Sequence, residues 1–221
     1  MVVHLFGHPV NMDPVKKLAQ KIKLKIIEDC AESLGVKYKN QLVGSIGDVG
    51  AFSFYANKTI TSGEGGMVTT NSKKLCDKAK SLKNLGFGKI NKFQHEYIGF
   101  NYRLPNISAA IGLAQLENIK SIFKNKKRIY KRYTKNLQDI KGINIPKIEK
   151  WVGKYVMWVF NVCLDNKFSL SRDQLTKELY KKNIETRESF VPVNKQKTLL
   201  KIYKNLREKD CPNSNYIMEN G

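Results

Sequence analysis

Two neighbouring segments set the fold of this chain: EDCAESLG at residues 28–35 and GSIGDVGAFSFYANKTITSGEGG at residues 44–66. The apolar residues in and before the first segment predict a buried strand over residues 24–29, which ends at Asp29. The second segment contains another apolar run, which predicts a buried strand over residues 49–55. An acidic side chain therefore stands where the first of these strands ends.

The residues upstream predict a strand and a helix in front of these two strands. Residues 1–6 form a short apolar, β-branched run, and the pair Asp13-Pro14 supplies an N-cap and a first-turn proline. The apolar face of the predicted helix is formed by Val15, Leu18, Ala19 and Ile22. Strand, helix, strand is the unit of a parallel sheet, in which ligands bind beyond the carboxyl ends of the strands.

The rest of the chain alternates between the same kinds of element. The predicted elements are a turn at 63–66, a strand at 67–70, a helix at 72–85 capped by Ser72, a helix from 105 or 106 to about 137, a strand at 155–164 and a helix at 171–182 capped by Ser171. We predict a large domain over residues 1–138 and a smaller α+β domain over residues 139–221.

Lys58 is the residue whose surroundings suggest chemistry. A single lysine after a strand is normally a surface residue, but here Asp29 ends the neighbouring strand, Ser53 precedes the lysine by five residues, and glycines follow at 63–66. A lysine in such a crevice can be partly removed from water, which favours the neutral amine that attacks a carbonyl carbon.

Composition excludes several classes of protein. The chain has 221 residues, 41% hydrophobic content and a net charge of +21, and it contains no zinc-finger, RNP or basic-zipper pattern. We therefore predict no nucleic-acid partner, and the charge is instead suited to attracting an anionic substrate. No apolar run is long enough to span a membrane, so we predict a cytoplasmic protein without a membrane partner. The four cysteines are scattered, so we predict no metal site.

Four segments of the chain resemble the DegT/DnrJ/EryC1/StrS family of sugar aminotransferases. They are VHLFGHP at 3–9, EDCAESLG at 28–35, FSFYANKTITSGEGG at 52–66 and GFNYRLPNISAAIGLAQLE at 99–117. The resemblance implies an α/β fold of the fold-type I class that binds pyridoxal 5′-phosphate. It implies an incomplete large domain with a mostly parallel sheet, followed by a small C-terminal α+β domain.

The resemblance also implies roles for five residues. Lys58 would bind the cofactor covalently and carry a proton, and Asp29 would pair with the nitrogen of the pyridine ring. Glu32 would lie near the 3-hydroxyl of the cofactor, one helical turn past Asp29, and Ser53 would bind its phosphate. Asn101 would reach the phosphate from the other subunit, which implies a homodimer.

A later segment implies contacts with the substrate. The sequence IETRESFVPVNKQ at residues 184–196 resembles a family segment in which an arginine lies near the sugar nucleotide, and Arg187 matches that arginine. Asn194 stands where the family has a histidine, and Asn183 where it has a glycine. Arg187 and Asn194 are therefore the candidate substrate residues.

The activity implied by the resemblance is amino transfer from L-glutamate to a nucleotide-linked 4-keto-6-deoxy sugar, for the synthesis of surface polysaccharide. The fit is best to members that act on a GDP-linked 4-keto-6-deoxymannose, while UDP- and dTDP-linked sugars stay open. A dehydrase of the same family is disfavoured, because those enzymes have histidine where this chain has Lys58. The alternative from another class is a non-catalytic remnant or a basic binding module.

Family members also carry a long segment before the residues that match 3–9, including the first strands and a Gly-Thr motif that binds the cofactor phosphate. The sequence therefore leads us to expect an N-terminally truncated family member. Sheet edges and apolar surface left uncovered by the missing strands would make it fold poorly or bind cofactor weakly when isolated.

Overall fold

The computed structural model describes residues 1–88, 90–91, 93–202 and 211–221. The chain divides into two compact units. The first unit consists of Met1–Tyr130 and Ile148–Val159, and the second consists of Lys131–Lys147 and Phe160–Gly221.

The strands and helices are short and are numbered in chain order. The strands are β1 (Val2–Val3), β2 (Ile27–Asp29), β3 (Lys37–Tyr38), β4 (Gln41–Leu42), β5 (Val49–Ser53), β6 (Gly66–Thr69), β7 (Ile143–Asn144), β8 (Val152–Lys154) and β9 (Cys163–Leu164). The α-helices are α1 (Met12–Lys21), α2 (Lys73–Lys83), α3 (Asn106–Glu117), α4 (Ile119–Leu137), α5 (Arg172–Lys181), α6 (Lys197–Ile202) and α7 (Pro212–Asn220). Single 3-10 turns are formed by Leu5–Gly7 and Val193–Lys195.

The main sheet of the first unit has the strand order β1-β2-β5-β6. The first three strands are parallel, and β6 pairs antiparallel with β5. Val3 lies beside Asp29, and Asp29 lies beside Ala51, so the three parallel strands end at the same side of the sheet. We call this side the carboxyl edge. The α/β fold with a mostly parallel sheet is thereby confirmed.

Helix α1 begins earlier than the sequence predicts. Its N-cap position is Asn11 rather than Asp13, and the Asn11 side chain makes no capping bond. Its Oδ1 instead accepts a hydrogen bond from the Tyr38 hydroxyl at 3.0 Å. The helix is held by burial of Met12, which is 0% exposed, so tertiary packing sets its start in place of a local cap.

The predicted apolar face of α1 is only partly buried. Ala19 is buried, whereas Leu18 and Ile22 are 55% and 52% exposed. The helix therefore meets the core along the Met12 and Ala19 side.

The helix predicted from residue 105 or 106 to about residue 137 is interrupted at Asn118. The structure has α3 and α4 on either side of it, and the Asn118 side chain donates to the Ala114 carbonyl at 3.0 Å. Asparagine side chains compete with the helical backbone for hydrogen bonds, so this position is a natural place for the break.

The strand predicted over residues 155–164 is wrong for most of its length. β8 ends before it and β9 covers only its last two residues. Between them, the Tyr155 hydroxyl and the Trp158 indole donate to loop carbonyls of the first unit, at 3.2 and 2.8 Å. β8 pairs with β3. Ile148–Val159 therefore lies in the first unit, beyond the boundary at residue 138 that the sequence predicts.

The core of the first unit lies between α1, the loop after β2 and the segment after β8. Its buried residues are Met12, Cys30, Val36, Tyr38, Val43 and Val156. Among the described residues, no helix is long and apolar enough to cross a membrane.

The second unit contains β7 paired with β9, together with α5, α6 and α7. Helix α5 has a capping box, in which Ser171 and Gln174 exchange hydrogen bonds between side chain and backbone. Ser72 caps α2 in the same unit as the main sheet by accepting from the Leu75 amide. Of the small domain predicted over residues 139–221, residues 203–210 lie outside the described residues.

Candidate active site

The carboxyl edge gathers polar side chains from two parallel strands. Asp29 is the last residue of β2, and Ser53 is the last residue of β5. Because β2 and β5 are parallel neighbours, both residues stand at the edge where α/β proteins bind their ligands.

Lys58 lies in the loop that connects β5 to β6. Its amide donates to the Tyr55 carbonyl at 3.0 Å, and the Ser62 amide returns to the Phe54 carbonyl at 2.9 Å. Ile60 and Ser62 are 5% and 2% exposed, so burial anchors the part of the loop that follows the lysine. The loop therefore holds a half-buried lysine next to the end of β5.

The amine of Lys58 has no acidic partner among the described residues. Its Nζ lies over the ring of Trp158, 4.1 Å from the ring centroid, which is the geometry of a cation–π contact. A lysine that is anchored yet has no ion pair is available to react with a ligand, because no salt bridge must first be broken.

Glu32 connects Lys58 and Asp29 electrostatically. Burial raises the pKa of Glu32; the hydrogen bond from the Phe6 amide and the charge of Lys58 oppose this, and the charge of Asp29 adds to it. The Phe6 amide donates to Glu32 Oε2 at 2.7 Å. The structure therefore brings Asp29, Glu32 and Lys58 into one group. Residues 31–35 form turns rather than the helical turn on which the sequence places Glu32.

The donor set of this group fits pyridoxal phosphate. The amine of Lys58 suits an aldehyde carbon. Asp29 uses Oδ1 to accept from the Ala31 amide at 3.0 Å, and its second oxygen has no hydrogen-bond donor within the described part of the chain, so it can accept from a protonated ring nitrogen. The Ser53 oxygen accepts from the Tyr55 amide at 3.3 Å, which leaves its hydroxyl proton for a phosphate oxygen.

Asn101 has local partners in the structure. Its side-chain oxygen accepts from Arg103 Nε at 2.9 Å, and its backbone pairs with Asn84. Asn101 is exposed and is followed closely by α3.

The two candidate substrate residues both lie in the second unit. Arg187 is exposed, whereas Asn194 is 6% exposed and donates to the Asn215 side chain at 3.1 Å. The structure gives Asn194 a packing role within its own unit, and its contact with substrate stays a prediction.

A buried carboxylate next to Asp29 was not predicted from the sequence. Glu28 is 0% exposed and accepts hydrogen bonds from His4 Nε2 at 3.0 Å and from the amides of Gly44, Ile46 and Gly47 at 2.9, 2.8 and 2.6 Å. Burial favours the neutral acid, but these four donors outweigh it and lower the pKa of Glu28. The alternation of side chains along a strand could have revealed that Glu28 and Asp29 face opposite ways.

His4, Glu28 and Cys30 lie close enough together to suggest a metal site, with their donor atoms within 4.8 Å of one another. Their hydrogen bonds argue against one. His4 Nδ1 accepts from the Val10 amide at 3.1 Å, so Nε2 carries the proton that Glu28 accepts. Burial and the charges of Glu28 and Asp29 raise the pKa of the Cys30 thiol to about 12, against a smaller lowering by the Ser33 side chain. A protonated thiol and a fully engaged histidine are poor ligands.

Comparison with known proteins identifies the family. Residues 1–221 match the DegT/DnrJ/EryC1/StrS aminotransferase family, and the chain belongs to that family. Its members are pyridoxal-phosphate-dependent aminotransferases.

Individual relatives agree with this assignment. The GDP-perosamine synthase of Escherichia coli O157:H7 is 43% identical over 194 residues, covering 88% of this chain and 52% of the relative. The dTDP-4-amino-4,6-dideoxy-D-glucose transaminase of Shigella dysenteriae is 35% identical over 195 residues, with 87% and 52% covered. The solved structure of S. venezuelae DesV matches with a TM-score of 0.88 and 29% identity, covering 99% of this chain and 57% of DesV. The chain thus spans about half the length of the curated relatives it matches.

Proposed function

We propose that this chain forms part of a pyridoxal-phosphate-dependent aminotransferase that acts on a nucleotide-linked 4-keto-6-deoxy sugar. The observation that carries the proposal is the amine of Lys58, which is anchored at the carboxyl edge without an acidic partner among the described residues, in one group with Asp29 and Glu32. When bound, pyridoxal phosphate supplies an aldehyde carbon and an electron-accepting ring.

Each residue at the carboxyl edge has a role that suits its functional group. Lys58 Nζ would hold the cofactor at its aldehyde carbon and would accept and return a proton. The open oxygen of Asp29 would accept from the ring nitrogen and favour its protonated form. The Ser53 hydroxyl would donate to the phosphate. Glu32 would face the 3-hydroxyl of the ring.

The substrate class follows from the relatives. Two of them are named for a GDP-linked and a dTDP-linked amino sugar. Sugars linked to a nucleoside diphosphate are anionic, which agrees with attraction by a chain of net charge +21. We propose a GDP-linked 4-keto-6-deoxymannose as the acceptor and L-glutamate as the amine donor, with Arg187 and Asn194 as contacts to the sugar nucleotide.

We further propose a homodimer in which Asn101 of one copy completes the phosphate site of the other. Helix α3 supports this, because its many apolar residues are spread around the helix and none of its residues is buried by the described chain. Apolar residues spread around a helix are normally covered. The exposed segment that contains Asn101 leads directly into α3, so a second copy that covers α3 also meets Asn101.

The cofactor site is tested by adding pyridoxal phosphate to the purified protein, reducing with borohydride and locating the adduct by peptide mass spectrometry. We expect visible absorption before reduction and an adduct on Lys58, both lost in Lys58→Ala. Lys154→Ala is the matched control, because Lys154 also lies over an aromatic ring, that of Phe123, at 4.3 Å. An adduct distributed over many lysines, with Lys58→Ala unchanged, would overturn the proposal.

The substrate is tested by following isotope-labelled nitrogen from L-glutamate into GDP-, dTDP- and UDP-linked 4-keto-6-deoxy sugars by mass spectrometry. We expect the largest transfer to the GDP-linked sugar. Preferential transfer to another nucleotide would correct the substrate, and adduct formation on Lys58 without transfer to any of them would leave a binding protein.

The homodimer is tested by light scattering of the purified protein and of Ile107→Glu. Ile107 lies on α3 and is 78% exposed. We expect the substitution to halve the molar mass, while Ile202→Glu, at a position 65% exposed in the second unit, leaves it unchanged. A monomer in all three proteins contradicts the proposed dimer.

A further inference from the structure

Trp158 is the residue that touches Lys58, although it lies 100 positions away in the chain. It belongs to the first unit and is 7% exposed. Its indole nitrogen donates to the Asn57 carbonyl at 2.8 Å, and its own carbonyl accepts from Lys126 Nζ at 2.9 Å. The ring is therefore fixed at its indole nitrogen and at its backbone.

The bond to Asn57 ties the ring to the residue directly before the lysine. The Trp158 ring is thereby held at a fixed distance from the Asn57 backbone. The flexible Lys58 side chain therefore has a fixed aromatic surface on which to lie. Lysine has many rotamers, and ordering them before a ligand arrives reduces the entropy that binding must remove. A cation–π contact orders an amine without pairing it with a carboxylate.

The Trp158 ring also contacts Phe6. The two rings are stacked, with centroids 6.2 Å apart and planes inclined by 13°. Phe6 has a φ of +53°, a left-handed conformation that bulky residues rarely adopt. It is held there by the Glu32 carboxylate on its amide, at 2.7 Å, and by the Tyr155 hydroxyl on its carbonyl, at 3.2 Å. Strained backbone of this kind persists where the surroundings determine it, commonly at functional sites.

We propose that Trp158 is a positioning residue for Lys58, holding the amine at the carboxyl edge in the orientation that receives the cofactor, with Phe6 stacked on the ring and Glu32 holding Phe6. This inference rests on the proposed function, because it concerns the approach of pyridoxal phosphate to Lys58. Glu32 acts on the lysine through Phe6 and Trp158 in addition to its own charge.

The chain offers a matched control for Trp158. Trp151, its other tryptophan, also lies in the first unit and also donates its indole proton to a backbone carbonyl, that of Pro9, at 2.9 Å. Trp151 makes an edge contact with His8 and has no contact with Lys58. The pair separates the effect of a positioned ring from that of losing any tryptophan.

The first measurement is the fraction of Lys58 labelled by pyridoxal phosphate and borohydride at limiting cofactor, relative to the other lysines, by peptide mass spectrometry. We expect Trp158→Leu to lower this fraction roughly tenfold, since it removes the aromatic face. Trp158→Phe keeps a ring and restores most of the labelling, and Trp151→Phe matches the parent protein. Equal labelling in Trp158→Leu and the parent overturns the positioning role, whereas a parent protein not labelled at Lys58 overturns the proposed function and this inference with it.

The second measurement remains decisive if Trp158→Leu does not fold. In Trp151→Phe, Trp158 is the remaining tryptophan, and a cofactor attached to Lys58 would lie close to its ring. We expect strong quenching of its emission, with the same concentration dependence as the Lys58 adduct. In Trp158→Phe, emission comes from Trp151 and is quenched much less. Equal quenching in the two variants, with Lys58 labelled in both, contradicts a contact between Trp158 and the cofactor lysine.

Discussion

Glu28 and Asp29 are neighbours in the same strand, yet their carboxylates differ in burial and in hydrogen bonding. Glu28 is fully buried and receives four hydrogen bonds, from His4 and from three backbone amides of residues 44–47. Asp29 stands at the carboxyl edge and uses one oxygen for a local amide. The first carboxylate holds the fold together, and the second is open to a ligand. The donors around a carboxylate, rather than its residue type, therefore determine its role.

The turn at residues 44–47 explains why the Glu28 carboxylate is buried and fully hydrogen-bonded. Gly44 has a φ of +82°, and a Cβ there would lie 2.5 Å from the ring of Phe52. Glycine lets the backbone fold close enough for its amide to reach Glu28. No comparable loop covers Asp29 within the described residues. The same strand thus contributes one side chain to the interior and one to the site.

The largest expected effect is on activity, in Asp29→Asn. Loss of the negative charge weakens the protonation of the ring nitrogen, so we expect kcat for amino transfer to fall about 100-fold or more. Thermal stability should change little, because Asn retains the oxygen that accepts from the Ala31 amide. Steady-state kinetics and thermal unfolding of the same preparation check both parts. A large loss of stability with kcat preserved would reverse the roles assigned to the two carboxylates.

The next effect is on stability, in Glu28→Gln. An amide has one acceptor oxygen where the carboxylate has two, so some buried donors lose their partner, and we expect the free energy of unfolding to fall by about 2–4 kcal/mol. The exposed residue Glu64 supplies the control, and Glu64→Gln should stay within about 0.5 kcal/mol of the parent. Urea titrations measure both. Equal stability of the two variants would mean that Glu28 is not a structural carboxylate.

The acid dependence of stability follows from the lowered pKa of Glu28. The unfolded chain protonates this group near its ordinary value of 4.5, and the folded protein does so only at lower pH. The contribution of Glu28 is therefore complete above that value and is lost as pH falls through the folded pKa. We expect the parent protein to lose stability below about pH 4.5 more steeply than Glu28→Gln does. Parallel slopes in urea titrations over this range would contradict the lowered pKa.

The contribution of Glu32 to the pH dependence of stability should have the opposite sign to that of Glu28. Its substitution should have the smallest of these effects. Burial raises its pKa, so ionising it costs the folded protein some stability as pH rises through the window above the ordinary value of 4.5. Glu32→Gln keeps an oxygen for the Phe6 amide and removes this cost. We expect stability at neutral pH to change by no more than about 1 kcal/mol, with a flatter pH profile. A loss as large as that of Glu28→Gln would show that Glu32 is also a structural carboxylate.

Local sequence was sufficient where the determining contacts are local. Ser72 and Ser171 cap α2 and α5 as predicted, because an N-cap bond spans only a few residues. Asp29 ends its strand as predicted, because apolar runs bounded by polar residues mark strand ends, whereas β5 ends at Ser53 rather than at the predicted residue 55. The family assignment is likewise confirmed, since it rests on contiguous motifs.

Local sequence was insufficient where distant residues compete with the local pattern. α1 begins at Met12, because burial of that side chain replaces the cap predicted at Asp13. The apolar run after β8 predicts a strand, but its side chains bond to loops more than 100 residues earlier. Periodicity contains no information about such partners.

The sequence alone determines the family of the chain and places Asp29 at the end of a strand. Only the folded structure surrounds Glu28 with four hydrogen-bond donors and brings Trp158 to Lys58. The physical reason is that covalent order fixes which groups are near a strand end, whereas hydrogen-bond donors and aromatic faces from remote segments are supplied by packing.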